Sequence, residues 1–272
     1  MSIIVRLLGT VDIRLGNTVM TIGPQKRRAM LTALALAANQ PVSLRTLAEA
    51  LWGNDSPASA TKNLRSYAHA LRVLVGRRLV THFGAYELKL DVDELDVAHF
   101  FALADRGAAA LATGNLVDAI VAYREALALW RGPALTGVPR TPQLDAVLAG
   151  LGERRDAVFE EYCHARLSAG AASELLPSLR RHLAAQPYRE RAWGALMLAQ
   201  YRSGDVYGAL GSFGQALSVF REQLGVDPGL ELVELHRAIL ARDPRLDRPA
   251  TKVLLTQVQS GRGHRAVRYV RG

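Results

Sequence analysis

Between Asp55 and Glu87 the chain carries no acidic residue, yet Lys62, Arg65, His69, Arg72, Arg77, Arg78 and His82 fall within that interval. Lys62, Arg65, Ser66, His69 and Arg72 recur at steps of three and four, the spacing that aligns side chains along one side of an α-helix. Leu64, Ala68, Leu71 and Val75 repeat the same period on the other side. A helix face that only meets water ordinarily mixes the signs of its charges; this one is cationic and polar throughout. Guanidinium, amide and hydroxyl groups in that order match the donor and acceptor edges of base pairs in a major groove, while neighbouring cations neutralise phosphates. Lys62, Asn63, Arg65, Ser66 and His69 are therefore predicted to face base edges, with Arg65 as the bidentate guanine reader. Arg45, Arg72, Arg77, Thr81, His82 and Tyr86 are predicted to touch the phosphate backbone or form a flanking hairpin. Gln25, Lys26, Arg27 and Arg28 open an earlier helix, where backbone N–H groups and positive charge together suit a phosphate. Plainer roles compete at some positions: Arg77 and Arg78 at a helix C-terminus, and Tyr86 in hairpin packing.

Other chemistry lacks its residues. There is no Gly-x4-Gly-Lys-Ser/Thr, no His-Glu-x-x-His and no Gly-x-Ser-x-Gly. Cys163 is the one cysteine, which excludes a disulfide framework and a thiolate zinc site. The seven histidines show no metal-ligand spacing, and the pair Glu160 and Glu161 falls on an Arg-rich helix. No catalytic residue, metal or cofactor is predicted, so an enzyme is not expected. Trp130, Trp193, Phe101, Phe159 and Phe220 sit at helical spacing and read as core. No apolar run approaches the ~18 residues of a membrane span, and the N-terminus lacks a secretion-signal pattern. A cytoplasmic protein without a membrane partner is the expectation.

Several elements must position the cationic face. Residues 3–9 and 12–15 read as strands, the second running into a Gly16-Asn17 turn, with a third strand over 18–22. Pro24 opens a helix that Asn39 stops; Ser43 caps a second, which Gly53 ends. In the loop 54–58, Ser56 is predicted to cap a third helix with Pro57 at its first position, running to Val75 before Gly76. Residues 79–83 and 86–90 form a hairpin around Gly84-Ala85. Strands, three helices with the last one cationic, then a hairpin: that is the order of a winged helix-turn-helix. Its third helix enters the major groove, and the hairpin can lie along the adjacent minor groove.

Past an acidic linker at 91–96 the chain reads as helices to about residue 240. Gly114, Asp118, Ala119, Tyr123, Ala126 and Leu127 align with Gly204, Gly208, Ala209, Phe213, Ala216 and Leu217, with a degenerate copy starting at Gly170. Gly170 and Gly204 are 34 residues apart, the tetratricopeptide period. Residues 130–144 occupy an insertion between copies. The fold class is thus mainly α with a small β part: an N-terminal winged helix-turn-helix over 1–92, an all-α tetratricopeptide-like domain over 93–248, and a basic, disordered tail over 249–272. Charge follows the same division. Of the net +9 on 272 residues, residues 1–90 hold 12 Lys+Arg against 4 Asp+Glu, whereas 91–248 hold 17 against 21. The tail adds 5 cations and no acid. A basic first domain suits a polyanion and the mildly acidic second domain a different partner. At 49% hydrophobic the chain has ample material for two cores.

Several stretches resemble the Streptomyces antibiotic regulatory protein family in its short form. They are residues 7–13 (LLGTVDI), 24–29 (PQKRRA), 47–53 (LAEALWG), 60–67 (ATKNLRSY) and 84–88 (GAYEL), then 126–135 (ALALWRGPAL), 189–193 (RERAW) and 224–229 (LGVDPG). One departure is that Ala85 stands between Gly84 and Tyr86, where the family places Gly directly before Tyr. The resemblance implies an OmpR-type winged helix joined to a bacterial transcriptional activator domain. It further implies a transcriptional activator of an antibiotic gene cluster that binds tandem direct repeats of double-stranded DNA near a −35 element as a head-to-tail dimer. The implied partner is RNA polymerase holoenzyme, through sigma region 4 and the C-terminal domain of α. The loop holding Asn54, Asp55 and Ser56 and the second domain would make those contacts. A nonspecific DNA-binding adaptor and a repressor of the same fold are the alternatives.

Overall fold

Ile3 and Val5 turn inward from the first strand and Ile13 from the second, so alternation along β1 (Ile3–Arg6) and β2 (Asp12–Leu15) supplies one buried face. With β3 (Thr18–Met20) they form an antiparallel meander in the order β1-β2-β3. Leu15 lies opposite Thr18, leaving Gly16 and Asn17 as the two-residue turn. The structure is a computed structural model and describes residues 3–53 and 55–247. Asn54 and the basic tail 249–272 lie outside the described residues.

Helix α1 (Gln25–Leu36) buries Met30, Leu31 and Leu34 and stops before Asn39, whose φ of 65° is left-handed. The Asn39 amide donates to the carbonyl of Leu90 at 2.9 Å and accepts from the Leu90 N–H at 3.1 Å. A two-residue strand unforeseen in the sequence, β4 (Val42–Ser43), leads into α2 (Leu44–Trp52), whose Thr46 N–H donates to the capping Ser43 hydroxyl at 3.0 Å. Helix α3 spans Ala60–Val75, so it begins three residues later than Pro57 would have it. The Ala60 N–H donates to the Pro57 carbonyl at 2.8 Å, closing a separate turn, and the cap position passes from Ser56 to Ser59. Strands β5 (Leu79–His82) and β6 (Ala85–Leu88) form the hairpin, joined by β4 in the order β4-β6-β5.

The described residues divide into two compact units. One holds residues 3–106 and Arg124–Asp156; the other holds Gly107–Tyr123 and 157–247. In the first unit, the 131–136 stretch read as an insertion lies along the segment after β1. The Leu135 N–H donates to the Leu7 carbonyl, Thr136 N–H to Gly9 and Arg131 N–H to Leu8, each at 2.9 Å. Asp96, at the head of α4 (Asp96–Ala112), is buried and accepts from the N–H groups of Leu7 and Leu8 at 2.7 and 2.9 Å. Phe100 is buried edge-to-face against the half-buried Trp130, with ring centroids 5.5 Å apart, whereas Phe101 is 38% exposed and so departs from the core role expected for it.

The second unit is helical. It takes in parts of α4, α5 (Leu116–Ala128) and α6 (Pro142–Ser168), then α7 (Leu176–Ala185), α8 (Glu190–Arg202), α9 (Val206–Val219) and α10 (Leu230–Leu240). Gly114, Gly170 and Gly204 all have φ between 78° and 86°, so each repeat's glycine sits where the chain reverses between helices. Ala119 and Ala209, equivalent in the repeat, are fully buried, as are Ala126 and Ala216. Trp193, Met197 and Phe220 fill the core beside Cys163, whose thiol burial pushes up to about 12 and so keeps protonated at neutral pH. A Cβ on Gly107 would stand 2.5 Å from Cε1 of the buried Tyr123 ring. Gly107→Ala is accordingly expected to cost about 1–3 kcal/mol of stability, read from denaturant unfolding. A cost near zero would mean that the ring can move aside. No helix among the described residues is long and apolar enough to cross a membrane.

Candidate nucleic-acid interface

Helix α3 divides as its period requires. Leu64, Ala68, Leu71 and Val75 are buried against α1, α2 and the hairpin side, and Lys62, Arg65, Ser66, His69 and Arg72 are exposed. Among the described residues no carboxylate lies within ion-pair distance of Lys62, Arg65 or His69. Their donors are open to an outside acceptor. Asn63 is half-buried, and its amide donates to the Ser59 hydroxyl at 3.3 Å, tying it to its own helix start.

Arg72 links this helix to the hairpin. Its Nη2 donates to the Thr81 hydroxyl at 2.8 Å, and the guanidinium also reaches the Leu79 carbonyl at 3.4 Å. At the turn itself, three residues past Thr81, the Leu44 N–H donates to the Gly84 carbonyl at 2.9 Å, fastening the tip to the start of α2. The hairpin is therefore held to α3 through Arg72 and to α2 through its tip. His82 is exposed but shares a 2.7 Å hydrogen bond with the buried Glu87 carboxylate. Arg45 donates to Glu49 at 2.9 Å along the exposed side of α2, and Arg77 is exposed beyond α3. Arg78 pairs with Glu94, and that guanidinium holds the Glu94 carboxyl below its ordinary range.

Two groups of residues sit differently from their sequence reading. Tyr86 is buried in β6, its Cα opposite Val42 and Thr81, because the register turns its side chain inward. It packs the hairpin rather than facing out. At the start of α1, Gln25 is exposed, but the three cations after it fold back on the chain. Lys26 donates to the Leu51 carbonyl and lies 5.6 Å from the Trp52 ring centroid; Arg27 donates to the Ile22 carbonyl at 3.1 Å. The Arg28 guanidinium lies so near Gly137 that a Cβ there would stand 2.7 Å from it. Asp55 and Ser56 are exposed in the loop before α3.

Two apolar residues of this surface escaped the sequence reading. Val73 is 76% exposed and continues the stripe of Lys62, Ser66 and His69 by one more turn, a signal present in the spacing. A valine there is suited to a thymine methyl. Phe83 is fully exposed. His82 pairs with Ala85, so Phe83 and Gly84 are the two turn residues, one residue ahead of the Gly84-Ala85 turn expected from sequence. Gly84 takes the left-handed φ of 68° that this turn demands. Among the described residues no group of three or more His, Cys, Asp or Glu is arranged to hold a metal.

Comparison with known proteins agrees with this architecture. Residues 95–240 match the family model described as bacterial transcriptional activator domain. The chain is 34% identical over 261 residues to the regulatory protein DnrI of Streptomyces peucetius, covering 92% of this chain and 96% of DnrI. It is 36% identical over 245 residues to the regulatory protein AfsR of Streptomyces griseus, covering 90% of this chain but only 25% of AfsR. The solved structure of Mycobacterium tuberculosis EmbR in complex with a low affinity phosphopeptide superposes with a TM-score of 0.85 at 29% identity. That match covers 89% of this chain and 66% of the EmbR chain.

Proposed function

The chain belongs to the Streptomyces antibiotic regulatory protein family of transcriptional regulators, and we propose that it is a sequence-specific activator that reads DNA through α3. The observation that carries this reading is the exposed, acid-free face of Lys62, Arg65, Ser66 and His69, backed by a buried apolar stripe and braced to the hairpin through Arg72 and Thr81. The brace sets the angle between helix and hairpin, so both meet one duplex in a defined relation. Arg65 reads a guanine edge, Lys62, Ser66 and His69 read or position neighbouring bases, and Arg45, Arg72, Arg77 and Thr81 face phosphates. Tyr86 is left out of the contact set because it is buried. The Gln25 side chain and the backbone N–H groups of Gln25 and Lys26 keep a phosphate role, those of Arg27 and Arg28 being taken up by the Pro24 carbonyl, while the Lys26, Arg27 and Arg28 side chains act there only through their field.

Tandem direct repeats near a −35 element, bound head to tail at a spacing of about 10–11 base pairs, are the proposed target. The loop with Asp55 and Ser56 and the helical repeats would then meet RNA polymerase at sigma region 4 and at the C-terminal domain of α. The proposed outcome is transcription of a secondary-metabolite gene cluster. The relatives it matches are regulators, and the chain is a regulator rather than an enzyme.

Sequencing genomic fragments retained by the purified protein at two salt concentrations tests this reading. A direct repeat that survives the higher salt supports it; equal salt slopes on promoter and random DNA would leave a nonspecific adaptor. Arg65→Ala is expected to weaken binding by about 1–3 kcal/mol and to relax preference at one base position. A binding-site library returning an unchanged preference would remove Arg65 from the reading set.

A further inference from the structure

Phe83, in the hairpin turn, is the most exposed large apolar residue among those described. Its neighbours make the position specific. His82 and Gly84 flank it, Thr81 with its partner Arg72 lies one residue pair from the turn, Arg77 precedes the base of the hairpin, and the buried Glu87 carboxylate is taken up by His82. This is one ring on a hairpin whose exposed charged side chains, Arg77, His82 and Lys89, are basic and whose Glu87 carboxylate is buried, not the broad apolar patch that marks a protein-docking surface. Charge complementarity therefore favours a polyanion. The hairpin is also stiff: β6 is paired on both sides, Gly84 is fastened to Leu44, and Thr81 to Arg72. A phenyl ring held at a fixed tip loses little freedom on insertion. Apolar wedges that part base steps from the minor groove have these attributes.

We propose that Phe83 is such a wedge: it enters a base step from the minor groove beside the major groove that α3 occupies, kinks the duplex there, and favours flexible pyrimidine–purine steps. This rests on the DNA-binding reading above, and it adds a selectivity that needs no hydrogen bond to a base.

The test uses the full chain and its selected duplex, with 2-aminopurine placed in turn at each step flanking the site. Wild type is expected to raise 2-aminopurine fluorescence at one step. Phe83→Ala and Phe83→Ser are expected to abolish that rise and to weaken binding on the order of tenfold, while Phe83→Trp retains both. Selective binding with no Phe83-dependent fluorescence at any step overturns the wedge and leaves the reading of α3 intact. Equal binding of selected and random duplex, with or without Phe83, overturns the DNA reading and the wedge with it. Phe83 touches no core, so the variants keep the fold and the comparison remains interpretable.

Discussion

Glu160→Ala lowers the stability of the second unit by about 2–3 kcal/mol, below the ~3–5 kcal/mol for breaking a fully buried ion pair, because the Arg189 left behind keeps 21% of its side chain in water. The Glu160 carboxylate is 4% exposed and accepts from Arg189 Nε at 2.6 Å, with His182 Nε2 at 3.8 Å. Burial is the largest single influence on it and pushes its pKa up. The His182 and Arg189 side chains and the charges of Arg189 and Arg191 together outweigh burial and hold the carboxyl below its ordinary 4.5. The sign follows: a carboxyl whose folded pKa is depressed contributes fully above the unfolded value, and the contribution is lost as pH falls through the folded pKa. The gap between wild type and Glu160→Ala in denaturant unfolding is therefore widest near neutrality and narrows in acid below about pH 4.5. A gap under about 1 kcal/mol at neutral pH, or one that does not narrow in acid, would show that the pair only breaks even with its desolvation.

Asp96→Ala, in the first unit, is expected to cost about 3 kcal/mol. It leaves the buried N–H groups of Leu7 and Leu8 without an acceptor, at about 1–3 kcal/mol for each unsatisfied group. It also removes the carboxylate 3.6 Å from Arg131 Nη2. Arg131 further donates to the Thr10 carbonyl at 3.3 Å, and the same stretch of chain carries the backbone bonds from 131–136 onto residues 7–9. Its pH signature is opposite to that of Glu160. Burial raises the Asp96 carboxyl above its ordinary 3.8 despite the two N–H donors and Arg131. Between the ordinary value and the raised one the folded state holds a proton that the unfolded chain has released, so this group's contribution is fullest in acid and falls as pH rises through the raised value. Asp96→Asn, which keeps one acceptor, is expected to lose about half as much. Hydrogen exchange at Leu7 and Leu8 checks the assignment: unchanged protection in Asp96→Ala would mean that those amides find another acceptor.

Local pattern was enough for much of this protein. The division of α3 into a buried stripe of Leu64, Ala68, Leu71 and Val75 and an exposed cationic face follows from the helical period alone, since residues three and four apart share a side wherever the helix sits. The left-handed glycines at 114, 170 and 204 and the buried alanines of the repeat were legible for a similar reason. Each answers a steric demand between close neighbours in the chain. Turn chemistry was legible only to within a residue or a helical turn. Ser59 rather than Ser56 occupies the N-cap position of α3, without a side-chain cap bond, and the hairpin turns at Phe83-Gly84 because pairing of His82 with Ala85 sets the register.

What the tertiary structure decided is which charges remain available and which segments belong together. A run of Gln25, Lys26, Arg27 and Arg28 looks open in sequence, but the Leu51 carbonyl, 25 residues on, takes up Lys26. Tyr86 is turned inward by pairing with β4 and β5, and Asp96 meets Leu7 across 89 residues of chain. Such contacts obey no period. They arise where separate elements pack and every buried donor must find an acceptor, a condition satisfied only by the assembled chain.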